Sequence, residues 1–360
     1  MIKTPQFSRR AVLAGGVAGA ALLASPSVLR AADRSIKVGV YGGYFKDSFD
    51  GNIFPDFTAA TGITVESVAE PTGEAWLVQL EQAARAGQAP ADLSMMSQVA
   101  MLKGGSANLW AKLDESKLSN LGNLLPQFVN RYPDGSLSGV GAVAWYITLV
   151  TNTDAYPAAP TSWAALWDPV NADKLGLLAL VSNSFLLEVA ATTWFGGTDM
   201  LSTDEGIAKA MAKLAELKPN VRLWYRDEAQ FEQALKSGEI PMGQYYHDVT
   251  GLAVADGHPV RSTFPKEGGI SDSGAWALTR ASKKIDEAHV FIDYMSQPSI
   301  QALMSRKVGT APTIARSLTD LTDEEFAAVS SDIAPILPRY DLYSAKADQL
   351  SQMWMEMIAS

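Results

Sequence analysis

Apolar positions along the chain alternate between two periods. Ile36-Lys37-Val38-Gly39-Val40-Tyr41 alternates as a half-buried strand does and runs into Gly42-Gly43. Phe49, Ile53, Phe54 and Phe57 then fall on one helical face, which Gly62 closes. Ile63-Thr64-Val65 predicts a second strand, Trp76, Leu77, Leu80 and Ala84 a second helix face, and Asp92-Leu93-Ser94-Met95-Met96 a third strand. The pattern restarts at Gly139–Asn152. It predicts strands at Gly176–Val181, Val221–Trp224 and Ile240–Tyr245, and helices at 182–194, 203–217, 227–237 and 247–255. A last block runs from Gly274-Ala275-Trp276-Ala277-Leu278 into helices over 283–306 and most of 320–359. Strands alternating with helices predict an α/β protein, a parallel sheet covered on both faces, in two halves with more than one chain crossing between them.

In open α/β sheets ligands sit beyond the carboxyl ends of the strands. Those ends hold Gly42–Phe45, Ser97-Gln98, Ser182-Asn183-Ser184, Tyr245–Asp248 and Ser271–Ser273. The expected ligand residues are Tyr44, Phe45, Ser97, Gln98, Trp145, Asn183, Tyr246, Asp248 and Asp272, with Lys46 the one obvious cation at these ends. Trp145-Tyr146 and Tyr245-Tyr246 are adjacent pairs on strands, so one member of each pair faces away from the other. Rings beside carboxylates suit an organic cation, because cation–π attraction and a charge-assisted hydrogen bond act on the same group. A neutral or anionic organic solute is the alternative.

The first residues change where the protein works. Lys3, Arg9 and Arg10 precede an uncharged run, AVLAGGVAGAALLA at 11–24, and small residues continue to Ala32. This is the layout of a cleaved export signal over 1–32, and Ser8-Arg9-Arg10-Ala11-Val12-Leu13 fits the twin-arginine type. The run is shorter than the ~20 apolar residues a membrane span needs. Without its four cations the net charge goes from −10 to −14, which disfavours nucleic acid and anionic membrane surfaces. The chain has no cysteine, which excludes disulfides, thiol nucleophiles, thiolate metal sites and a lipid-anchored cysteine. Gly139-Val140-Gly141-Ala142-Val143-Ala144 matches a loose dinucleotide pattern but leads into a strand rather than a helix, so a strand beside a hinge is the better reading. His247, His258 and His289 share no metal-ligand spacing, and no cofactor is expected.

Five segments carry a resemblance: FPDFTAATGITV (54–65), TSWAALWDP (161–169), LKSGEIPMGQYYHD (235–248), TFPKEGGISDSGAWAL (263–278) and FIDYMSQPSIQALMSRKVGTAPT (291–313). With them the mature chain resembles the extracellular solute-binding proteins of ABC importers, and within these the spermidine/putrescine-binding group. The resemblance implies a two-lobed periplasmic binding protein fold of type II with the ligand between the lobes. Lobe one is then 34–141 and 272–309, and lobe two 142–271 and 310–360. It further implies a monomer that docks on an ABC permease in the inner membrane and does no chemistry. An exported enzyme or a sensory receptor subunit on the same scaffold is the rival reading. The group's aromatic that precedes the helix after GQYY matches Tyr246. Its acids do not transfer: Asn183 and Leu186 stand in their place, Asp272 replaces a tryptophan, Gly274 replaces an aspartate, and Val99 replaces an aromatic residue.

Overall fold

The computed structural model describes residues 34–71 and 75–359; the expected export signal lies outside the described residues. β1 (Ser35–Tyr41) buries Ile36, Val38 and Val40, the inward set of its alternation. The face made by Phe49, Ile53, Phe54 and Phe57 is fully buried, but Ile53 divides it into α1 (Tyr44–Asn52) and α2 (Phe54–Thr61). Gly62 caps α2 at φ 69°, a left-handed conformation that costs glycine little. Then come β2 (Thr64–Glu70), α3 (Ala75–Arg85), β3 (Leu93–Ser97), α4 (Gln98–Ser106), β4 (Val129–Arg131) and β5 (Leu137–Asn152). The second half holds β6 (Leu175–Leu178), α5 (Val181–Ser184), α6 (Leu186–Phe195), α7 (Asp204–Ala215), β7 (Val221–Tyr225), α8 (Glu228–Ser237), β8 (Met242–Tyr246) and α9 (His247–Ala255). The chain finishes with β9 (Val260–Thr263), β10 (Ile270–Leu278), α10 (Ile285–Met295), α11 (Pro298–Val308), α12 (Asp323–Ala327), α13 (Tyr340–Ala345) and α14 (Ala347–Ala359).

The sheet runs β2-β1-β3-β10-β5-β8-β6-β7. It is mixed rather than parallel as the alternation predicts. β1 pairs parallel with β2 and β3, and β6 pairs parallel with β7 and β8, but β10 and β5 run antiparallel to their neighbours. The two antiparallel strands are the ones that pass between two buried cores. On β5, Val140, Ala142 and Val143 belong to the first core and Ile147 and Leu149 to the second. On β10, Ile270 belongs to the second and Trp276 and Leu278 to the first. The chain passes once more between Ile314, in the first core, and Ile336, in the second. Two α/β cores joined by three passages make the two-lobed architecture of type II periplasmic binding proteins.

One local expectation is corrected. The helix predicted over 182–194 breaks at Phe185, whose φ of 50° ends α5 before α6 begins. Helices fill most of 320–359 as expected, in α12, α13 and α14, with residues 328–339 outside them. Trp194 on α6 is 42% exposed and lies under the Lys213 ammonium, 4.1 Å from its ring centre.

Candidate functional site

Asp272 is placed by β10. The register sets it opposite Trp145 on β5. Its Oδ1 accepts two hydrogen bonds, from the Tyr340 hydroxyl at 2.6 Å and from the backbone N–H of Ser273 at 2.7 Å. Burial pushes the Asp272 carboxyl up to about 6, outweighing both hydrogen bonds. Tyr41, the last residue of β1, meets Trp145 edge-on with ring centres 6.4 Å apart, and meets Phe45 at 5.9 Å. The Tyr41 hydroxyl is buried with no hydrogen-bond partner. Its pKa is raised first by desolvation, then by Glu70 and Asp272. A rim of Phe45, Tyr41 and Trp145 from the first core therefore stands beside one acid.

A second acidic group comes from the other core. The Tyr246 hydroxyl, at the end of β8, donates to Glu228 Oε1 at 2.8 Å at the start of α8. Asp248 lies in the first turn of α9. Its Oδ1 is buried without a partner, and burial, with a smaller push from Glu228, raises the carboxyl to about 6. Tyr246 also feels the charge of Asp272. No basic side chain contributes to the shift of either aspartate.

The strand alternation resolves both aromatic pairs. Trp145 packs beside Tyr41, whereas Tyr146 turns to the opposite face and meets Phe264 edge-on at 5.1 Å. That opposite face borders a pocket of about 260 Å³, lined also by Phe128, Ala144, Ala311 and Phe326 but by neither Asp272 nor Asp248. Tyr245 goes into the core against Phe231, at 5.6 Å, and leaves Tyr246 with Glu228.

Other expected residues are more peripheral. Tyr44 is 53% exposed and touches Phe45 edge-on at 6.3 Å. Ser97 caps α4, accepting the Ala100 N–H at 3.3 Å. Gln98 is buried and its amide is engaged on both sides, donating to Ser273 at 3.0 Å and accepting from Asn130 at 2.7 Å. It steadies the residue beside Asp272. Asn183 is exposed and accepts from the Ser182 hydroxyl at 2.8 Å. Lys46 pairs with Asp50 at 2.5 Å, one helical turn along α1. His247 is held by Ser262 at 2.8 Å and the Ala327 carbonyl at 3.0 Å, and burial lowers its pKa. Tyr41, Glu228 and Tyr340 were not foreseen. Tyr41 and Glu228 adjoin strand ends that the pattern locates, but Tyr340 lies 68 residues from Asp272 and nothing in the sequence joins them.

The arrangement offers two acids that gain from a cationic partner, aromatic faces beside them, and an unpartnered phenol. Among the described residues, no group of three or more His, Asp or Glu is placed to hold a metal ion, and no helix is long and apolar enough to cross a membrane.

Comparison with known proteins agrees with this architecture. Residues 52–330 match the model of the family described as bacterial extracellular solute-binding protein. The gamma-aminobutyric acid-binding protein of Pseudomonas aeruginosa is 26% identical over 297 residues, covering 81% of this chain and 80% of that one. The spermidine/putrescine-binding periplasmic protein 1 of Haemophilus influenzae is 30% identical over 255 residues, 68% of this chain and 66% of that one. In three dimensions, an ABC transporter substrate-binding protein from Bradyrhizobium japonicum superposes with a TM-score of 0.75 at 21% identity, covering 90% of this chain and 99% of that one. The chain belongs to the bacterial extracellular solute-binding protein family, as a periplasmic solute-binding subunit of an ABC transporter.

Proposed function

We propose that the solute is a small organic amine, captured between a lobe of 34–141 with 272–309 and a lobe of 142–271 with 310–360, and handed unchanged to an inner-membrane permease. The observation that carries this reading is Asp272, a carboxylate flanked by the rings of Trp145 and Tyr41 and without a basic partner. An ammonium at this place gains a charge-assisted hydrogen bond and cation–π attraction together. The relatives support the class, since one is named for gamma-aminobutyric acid and the other for spermidine and putrescine. Both kinds of solute present an alkyl ammonium. Ser97 and Asn183, neutral and exposed, are the groups available to a carboxylate at the far end of a zwitterion. The twin-arginine export route belongs to the same proposal and rests on Ser8-Arg9-Arg10.

Calorimetric titration tests the reading. Tyr246→Ala is expected to weaken putrescine or gamma-aminobutyric acid binding by about tenfold, since a ring flanking a cation is worth ~0.5–2 kcal/mol. Lys46→Ala is expected to leave affinity within twofold, because that ammonium is already paired with Asp50. A large loss from Lys46→Ala with none from Tyr246→Ala marks a site built for an anion.

A further inference from the structure

Tyr340 lies beyond the segment that matches the family, which ends at residue 330. It is brought to Asp272 by a strap running from Ile336 to Tyr343. The strap joins the start of β10: the Ile336 N–H donates to the Gly269 carbonyl at 2.9 Å, and the Ser271 N–H donates to the Ile336 carbonyl at 3.0 Å. Buried Glu188 of α6 anchors its far side. Glu188 Oε1 accepts the Arg339 N–H at 2.8 Å, and Oε2 accepts the Tyr343 hydroxyl at 2.7 Å. The Phe185 ring packs edge-on against both Tyr340, at 6.0 Å, and Tyr343, at 5.8 Å. The Tyr340 hydroxyl is thus fixed at both ends of its segment.

A carboxylate oxygen has two lone-pair directions. On Asp272 Oδ1, Tyr340 and the Ser273 N–H occupy both, while Oδ2 accepts no hydrogen bond from the described residues. A guanidinium binds a carboxylate best through two parallel N–H bonds, one to each oxygen. An ammonium is a compact donor that needs one oxygen. We propose that Tyr340 is a positioning residue that saturates one oxygen of Asp272 and so makes the site prefer an alkyl ammonium to the matching alkyl guanidinium. This rests on the amine reading above.

The test uses two pairs of probes that differ only in the cationic head: putrescine against agmatine, and gamma-aminobutyric acid against 4-guanidinobutanoate. Calorimetry on the wild type is expected to favour the ammonium member of whichever pair binds by about tenfold or more. Tyr340→Phe frees one lone pair of Oδ1 and is expected to shrink that preference at least fivefold, the guanidinium gaining relative to the ammonium. Tyr343→Phe removes a strap anchor without touching Asp272, and is expected to lower the melting temperature while leaving the preference unchanged. The wild-type preference needs no variant, so misfolding of Tyr340→Phe leaves that arm standing. A wild type that binds an ammonium but prefers the guanidinium, or a preference that Tyr340→Phe leaves within twofold, overturns the role of Tyr340 and spares the amine reading. Failure of all four probes to bind overturns the amine reading and this inference with it.

Discussion

Asp272→Asn is expected to weaken amine binding by at least tenfold, about 1.4 kcal/mol, and at pH 7 to make the unliganded protein more stable. The two effects have one origin. The carboxyl is desolvated without a cation beside it, and its pKa is raised to about 6. Between the ordinary aspartate value near 4 and this raised value, the folded state holds the proton more tightly than the unfolded state. Stability contributed by this group is therefore present below that window and is lost as pH rises through it. At pH 7 the ionised carboxylate costs the empty fold up to ~3 kcal/mol, which a bound ammonium offsets. Asparagine keeps an oxygen for Tyr340 and the Ser273 N–H but has no charge to desolvate. Thermal melts at pH 7 beside calorimetry check both halves. A variant that binds normally, or one that loses binding together with stability, contradicts the assignment of Asp272 as a ligand acid.

Acidification is expected to weaken amine binding by about tenfold between pH 7.5 and pH 5 for each aspartate that must be ionised. Asp272 and Asp248 both titrate near 6, each through burial first. Above 7 both are charged and attract the ammonium. At pH 5 each is mostly neutral, and an amine must displace a proton to bind. The proton uptake that weakens binding favours the unliganded fold over the same range, so the rise in melting temperature caused by saturating amine should shrink from both sides. Ligand at 100 times its dissociation constant adds ~2.7 kcal/mol, and a tenfold weaker affinity removes about half of it. Titrations at pH 7.5, 6 and 5 in one buffer system give the slope. Affinity that is flat, or stronger at pH 5, excludes these aspartates as the binding acids.

Much of this molecule is legible in its residues, for identifiable reasons. Periods of two and 3.6 locate β1, α7, α8 and α9 because each element buries one face. The sheet's direction at β5 and β10 is not legible. Alternation reports which face is buried and not which neighbour is paired, and only the passage between two cores turns those strands antiparallel. The aromatic pairs show the same limit: alternation requires Trp145 and Tyr146 to part, but the side that faces Tyr41 is set by the β10 register. Asp272 is legible because it lies in a segment shared with a known family, although Ser271–Ser273 sit near the start of β10 and not at the carboxyl end of a strand as expected. Tyr340 and Glu188 are not, since each acts through residues more than sixty positions away along the chain. Gln98 is legible as a polar residue at a strand end, yet its work is to hold Ser273 and Asn130, because burial leaves its amide no other partners.

Native mass spectrometry of the protein purified from its own periplasm, followed by release and identification of what it carries, tests the central claim most directly. A small alkyl amine bound one to one, recovered with its mass unchanged, and lost from Asp272→Asn prepared in the same way, is the predicted result. A sugar, a carboxylate without an amine, or a chemically altered product in its place contradicts it.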